Sequence, residues 1–312
     1  MAVLNFPPKL CGTKDRQHYV FRHYLLPWAR DGQIWVSRNG NIFPTNVRNV
    51  AVERHFYKLQ DLTDEDITLI RRVGTDGAPK YVQDRCETLI DTFTGPFKIR
   101  KLIDPNDPDA KAMLSWLDER VINHEEELQG DVESTLLPAL AEMRAGRTDF
   151  YADKDQAQEF LHAISFQYMR TKKRREAFQA LTKIPIAGAD MKRFGNLLTL
   201  ILTLRFADSL YQDRGQFTIV LLDNRTDTPF ITGDQPIINM HATFEPGAPE
   251  KLEFFYPISP QKAMLLLEAS SDHSQSVTVE NVRRYNNLIA RNSHEQVFSN
   301  SREYLEALIA SG

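Results

Sequence analysis

Apolar residues recur at different periods along this chain, and the changes of period divide it. Near the start, Val20, Tyr24, Leu25 and Trp28 follow helical spacing and predict a short helix over residues 17–29, bent or shortened by Pro27. Such a helix would place His18 and Arg22, four positions apart, on one side. A β-prone run centred on Ile34, Trp35 and Val36 and a second with Ile42 and Phe43 flank Asn39-Gly40. An Asn-Gly step between two β-prone runs predicts a hairpin. Residues 46–57 carry Val47, Val50, Ala51, Phe56 and Tyr57 and read equally as a strand or a loop.

The middle of the chain is helical by the same test. Thr63 with Asp66 three residues later marks a helix start, and residues 74–79 read as the loop that ends it near Val73. Pro96 and the run from Asp104 to Pro108 predict further breaks. Residues 110–128 show Met113, Leu114, Leu117 and Val121 at helical intervals, with Gly130 as the stop. Residues 131–144 form a second pattern, kinked at Pro138. The longest pattern covers residues 156–181, and an apolar helix follows over 191–211.

After Gly215 the period changes to that of strands. Runs at residues 217–222, 229–240, 252–256 and 263–267 predict a sheet with short connections, antiparallel or mixed in order. Helices close the chain at 279–290 and 301–309. The expectation is an α+β fold in which N- and C-terminal strands share a mixed or antiparallel sheet and the helical middle covers it. One domain over residues 1–312 is expected, with a hairpin region at 15–60, helices at 61–212 and a β-rich end at 216–312.

Composition narrows the class. The 42% hydrophobic and 26% charged content is that of an ordinary globular protein. A net charge of −4 argues against a generally basic nucleic-acid coat while leaving room for a local basic patch. Cys11 and Cys86 sit in no CxxC pair and read as free thiols of a reducing compartment. The start of the chain lacks the pattern of a secretory signal, and residues 197–204, the most apolar run, are too few to span a membrane. A cytoplasmic protein with no membrane partner is expected.

Candidate chemistry gathers in residues 15–57 and at one later point. His18 titrates near neutrality and can act as base or acid; Arg22 can hold a phosphate. Glu53 and Asp234 are carboxylates suited to a metal such as Mg²⁺ or Mn²⁺, or to proton transfer. The structural alternatives are that His18 and Arg22 brace the hairpin, that Glu53 pairs with Arg22 or Arg48, and that Asp234 makes an Asx turn before Pro236. Arg170, Lys172, Lys173, Arg174 and Arg175 form a basic run that would track a phosphate backbone or serve as a solvated helix face. Glycine-rich nucleotide loops, HExxH and GxSxG are all missing, which disfavours kinase, Rossmann, zincin and α/β-hydrolase chemistry.

Several of these residues fall in recognisable strings. The His18-Tyr19-Val20 and Tyr24-Leu25 steps come first, then Asn49, Ala51, Glu53, Phe56 and Tyr57. Phe230-Ile231-Thr232 with Asp234 and Pro236, the step from Pro257 to Pro260, Asn286-Asn287, and Val297 with Ser299 follow in order. This series resembles the bacterial domain of unknown function 4238 family over most of the chain. Phe21 stands where the family signature has proline, and Gly233 where it has serine. The resemblance implies a bacterial intracellular protein and supplies no reaction.

The residues together point to a nuclease of the defence or toxin-effector kind, cleaving RNA or DNA phosphodiesters. His18 would be base or acid and Arg22 the phosphate anchor, with Glu53 and Asp234 on a metal or a proton. The rival is a non-catalytic module that recognises a nucleotide or a peptide. Joining Asp234 to His18 requires the two ends of the chain to meet.

Overall fold

The computed structural model describes residues 10–180, 190–242, 251–269 and 276–311, with the side chains of 178–180 and 311 outside the description. The chain begins with β1 (Arg16–His18), then the one-turn helix α1 (Arg22–Leu25), extended by a 3-10 turn over Leu26–Trp28. β2 (Gln33–Arg38) and β3 (Asn41–Asn46) form the predicted hairpin. Asn39 at φ 51° and Gly40 at φ 75° carry the turn, in the left-handed region a two-residue connection demands. β4 (Val52–Arg54) follows a 3-10 turn over Val47–Asn49. The helical middle holds α2 (Asp64–Thr75), α3 (Lys80–Arg100), α4 (Ala110–Arg144), α5 (Lys154–Met169), α6 (Lys172–Ala180) and α7 (Met191–Gln212). Then come β5 (Phe217–Asp223), β6 (Thr232–Gly233), β7 (Ile238–Asn239), β8 (Phe254–Ser259), β9 (Lys262–Glu268), α8 (Val279–Asn292), β10 (Gln296–Ser299) and α9 (Arg302–Ser311).

Contact density resolves two compact units, each assembled from three stretches of chain. The first comprises Met1–Gln17, Glu53–Asp131 and Arg175–Arg205, and the second His18–Val52, Val132–Arg174 and Phe206–Gly312. The first unit is helical. Its buried apolar residues include Leu69 and Ile70 of α2, Val82, Cys86, Ile90 and Phe93 of α3, Leu117 and Val121 of α4, and Leu197 and Ile201 of α7. The start of α2 is fixed by the predicted capping box, Thr63 accepting from the Asp66 amide and Asp66 from that of Thr63. Asp66 also receives Arg193 through two nitrogens at 2.8 and 3.1 Å, which ties α2 to α7.

The second unit holds two four-stranded sheets, ordered β3-β2-β10-β6 and β5-β9-β8-β7. Their pairings are antiparallel. The first sheet draws on strands from both ends of the chain, as expected. β8 reads Phe-Phe-Tyr-Pro-Ile before Ser259, and all five of those residues are buried, the mark of a strand covered on both faces. Its core includes Phe230, Ile231, Ile238, Phe255, Leu265, Val282 and Ile289.

Several elements differ from their local pattern. Residues 17–29 are not one helix, so His18 lies on a strand and not one turn below Arg22. The reason is tertiary: the buried Gln17 donates to the Ile122 carbonyl at 2.7 Å and accepts the Tyr57 amide at 2.5 Å, which holds the backbone extended. The two helices predicted around Gly130 are one, α4, with Gly130 and Pro138 inside it; Pro96 lies inside α3. A helix tolerates one glycine at about 1 kcal/mol when its face is otherwise buried. The predicted helix at 156–181 is broken at Arg170 and Thr171, and Leu181 at its end lies outside the described residues, as do residues 1–9. β10 was not signalled by any alternating run, and it stands between β2 and β6 in the first sheet.

Candidate functional site

In the second unit, His18 ends β1 and the chain turns through Tyr19, Val20 and Phe21 into α1. Arg170, at the C-terminal end of α5, donates to the His18 carbonyl and lays its guanidinium over the Phe21 ring, 4.3 Å from the centroid. Gln167, one turn earlier on α5 and fully buried, accepts the Phe21 amide at 3.4 Å. The His18 imidazole is bonded to the backbone of Arg48. Burial pushes its pKa down to about 4, with the positive charges of Arg170 and Arg22 adding to the effect and Glu133 opposing it. His18 is therefore neutral at physiological pH. Arg22 is half-buried, and its side chain makes no hydrogen bond or ion pair among the described residues. Glu133 is engaged by His23, whose Nδ1 lies 2.7 Å from the carboxylate.

Asp234 is almost fully buried and its carboxylate accepts three backbone amides, those of His294 at 2.7 Å, Glu295 at 2.8 Å and Gln296 at 3.0 Å. Burial pushes its carboxyl up, and these donors pull it back. The turn so held presents Gln296, whose side chain donates to the Tyr19 hydroxyl at 3.0 Å and accepts Arg38 at 2.6 Å and the Ala51 amide at 3.3 Å. Asp234 thus reaches the N-terminal segment through Gln296, beside His18 in sequence. The two ends of the chain meet, through a brace and not through a shared carboxylate.

The neighbouring Gln235 does the same on the other side. It bonds the Thr171 hydroxyl and donates to the Tyr168 and Ile237 carbonyls at 3.2 and 2.8 Å, fixing the α5–α6 junction that carries Arg170. Tyr24 of α1 docks on the same strand segment, donating to the Pro257 carbonyl at 2.7 Å and meeting the Thr232 hydroxyl at 2.6 Å. Trp28 donates to the Phe230 carbonyl at 2.8 Å. Residues 230–235 are a scaffold on which His18, Phe21, Arg22 and Arg170 are set.

Glu53 belongs to the first unit, where it is exposed and acts electrostatically on Arg175. The basic run is divided. Arg175 bonds the Phe56 carbonyl and stacks 4.2 Å from that ring, with burial pushing its pKa down. In the second unit, Lys172 pairs with Glu295 at 2.9 Å, Lys173 donates to the Asn292 carbonyl at 2.7 Å, and Arg174 bonds Tyr168 and stacks over its ring at 4.1 Å. Each of these four cations has a partner within the chain. Among the described residues no group of three or more His, Cys, Asp or Glu is placed to hold a metal ion. Among the described residues no helix is long and apolar enough to cross a membrane.

A family model described as protein of unknown function (DUF4238) matches residues 16–303. The chain belongs to this family. No curated protein and no solved structure matches it.

Phe21 has φ −56°, a value proline also takes. What the phenylalanine adds is an amide for Gln167 and a ring for Arg170, neither of which proline supplies. At Gly233 a Cβ would stand 2.0 Å from the Ser293 hydroxyl and 3.0 Å from the Gln296 carbonyl. Ser293 fills the space that a side chain at 233 would need. Glu133 and Phe21 were invisible as site residues in the sequence. Glu133 sits in an ordinary helical pattern, and only the fold sets it beside α1.

Proposed function

We propose that His18, Arg22 and Arg170 form an anion site at which this protein binds a phosphate of RNA or DNA and cleaves the phosphodiester. The observation that carries this reading is a half-buried, neutral imidazole flanked by two guanidiniums, one of them unpaired. Arg22 supplies an open, planar donor for a phosphate oxygen, and Arg170, locked on Phe21, supplies a fixed positive charge. An anion seated there offsets the two positive charges and raises the His18 pKa towards neutrality. His18 then accepts a proton from the attacking hydroxyl as its oxygen bonds to phosphorus; the P–O bond to the leaving oxygen breaks, and that oxygen takes its proton from solvent. Asp234 and Gln235 are positioning residues in this scheme, and Glu53 is not assigned a role in it.

The non-catalytic alternative draws support from Asp234, whose carboxylate is spent on the fold. A module that binds a nucleotide without cutting would need only the two arginines and the neutral His18. One experiment separates them. Purified protein is incubated with total RNA, single-stranded DNA and plasmid in Mg²⁺, Mn²⁺ or chelator, beside His18→Ala and Arg22→Gln. Cleavage by the parent that both variants lose supports the enzyme. Saturable nucleotide binding without cleavage, lost in Arg22→Gln, supports the module. Parent and variants alike in both assays would remove the site from consideration. The cation arms decide whether a divalent metal takes part.

A further inference from the structure

A concavity lies in the second unit, built from residues other than those of the anion site. It is a groove of about 530 Å³ between the loop around Thr228 and the start of α9, within the size range of ligand sites. A smaller hollow of about 420 Å³ shares Thr228, Tyr304 and Ala307 with it and adds Arg283 and Asn287. The charged residues that line the larger groove are Asp227 and Glu303, with no basic residue among its walls. Nearby cations are neutralised elsewhere: Arg225 and Lys262 by Asp223 at 2.8 and 3.3 Å, and Arg302 by Glu306 at 2.7 Å. Asp227 and Arg283 make no ion pair among the described residues. The larger groove therefore carries two carboxylates, and the hollow that shares its wall carries a guanidinium, none of the three in an ion pair among the described residues.

The walls are preorganised. Asn224 pins the loop, donating to the Thr228 carbonyl at 2.7 Å and accepting the Thr226 amide at 3.1 Å and hydroxyl at 2.7 Å. Asn286, fully buried, joins both sides. Its amide donates to the Pro229 carbonyl and the Tyr304 hydroxyl, each at 2.8 Å, and its oxygen accepts the Ile231 amide at 3.0 Å. A groove that is already shaped loses little entropy on filling. Its acidic lining rejects a phosphate backbone, so this surface is not an extension of the anion site.

We propose that the groove docks a peptide ending in a basic residue, with the basic side chain between Asp227 and Glu303 beside the Tyr304 ring and the terminal carboxylate at Arg283. The charge pattern selects this occupant: a cation at one end and an anion at the other, over an aromatic wall that favours a guanidinium. The inference does not depend on the phosphodiester reading.

Titration calorimetry on the full chain tests it with acetyl-Gly-Gly-Arg, its C-terminal amide and the citrulline analogue, which keeps the shape and loses the charge. Saturable binding of the free acid is expected, weakened about tenfold by citrulline and by the pair Asp227→Asn with Glu303→Gln. The amide should bind the parent about fivefold more weakly than the acid, a preference that Arg283→Gln erases. Both variants change exposed side chains, and circular dichroism confirms that they fold. Citrulline and arginine peptides binding alike, or no saturable heat at millimolar peptide, would overturn the proposal.

Discussion

Replacing Asp234 by alanine separates a catalytic from a structural carboxylate. The native side chain accepts three amides at 2.7 to 3.0 Å, and it is almost entirely buried. His294 and Glu295 are exposed, so their freed amides rehydrate at a cost well below that of a buried orphan. The Gln296 amide lies in buried surroundings, and leaving it without an acceptor costs about 1–3 kcal/mol. Losing charge-assisted bonds to the other two, and the packing of the side chain, brings the total to roughly 2–5 kcal/mol. For a chain of this size that is a fall of roughly 5–15 °C in the thermal midpoint. Asp234→Asn keeps the shape but turns an amide donor towards backbone donors, so it should fall between parent and alanine. The assays are thermal unfolding by circular dichroism and hydrogen exchange at amides 294–296, which should become less protected first. If Asp234→Ala melts within about 0.5 kcal/mol of the parent while cleavage disappears, the brace argument is wrong and the carboxylate belongs to the chemistry.

His18 makes stability depend on pH. Its folded pKa of about 4 lies below the ordinary 6.5, so the unfolded chain takes up the proton first. The advantage of the parent over His18→Gln should be complete above pH 6.5 and shrink as pH falls towards 4, by about 3 kcal/mol at most, read from denaturant midpoints at each pH. If the site cleaves phosphodiesters, the acid limb of kcat should lie above that of kcat/KM, because bound phosphate raises the imidazole pKa; coincident limbs would remove His18 as the base. Gly233→Ala should cost about 1–3 kcal/mol through the Ser293 hydroxyl 2.0 Å from the added carbon, and Ser293→Gly should recover most of it; an unrescued loss would point to the Gln296 carbonyl instead. Gly74→Ala in the first unit puts its methyl 2.7 Å from the Ile201 side chain, so it should destabilise although alanine is the better helix former; a stabilised variant would show that Ile201 moves aside.

What the sequence determined was whatever depends on neighbours along the chain. Asn39-Gly40 dictates its hairpin because few other residue pairs accept positive φ twice in succession. Thr63 and Asp66 dictate the start of α2, since both halves of the capping box lie within one turn. Buried strands such as β8 and β9 declare themselves by unbroken apolar runs. His18, Arg22 and Arg170 stood out in the sequence as titratable or cationic residues, each with a structural use as open to it as a chemical one. Tertiary structure decided the rest. Gln17 overrode a helical pattern through bonds to Ile122 and Tyr57, and burial along α4 carried the helix past Gly130 and Pro138. The same is true of the site. A carboxylate looks identical in sequence whether it faces substrate or three backbone amides, and a basic run looks identical whether solvated or stacked on Tyr168 and Phe56. Charge and hydrogen-bonding capacity are written in the residue; whether they are already spent is settled only by what the fold brings within 3 Å, and here it spent Asp234 and left Arg22 open.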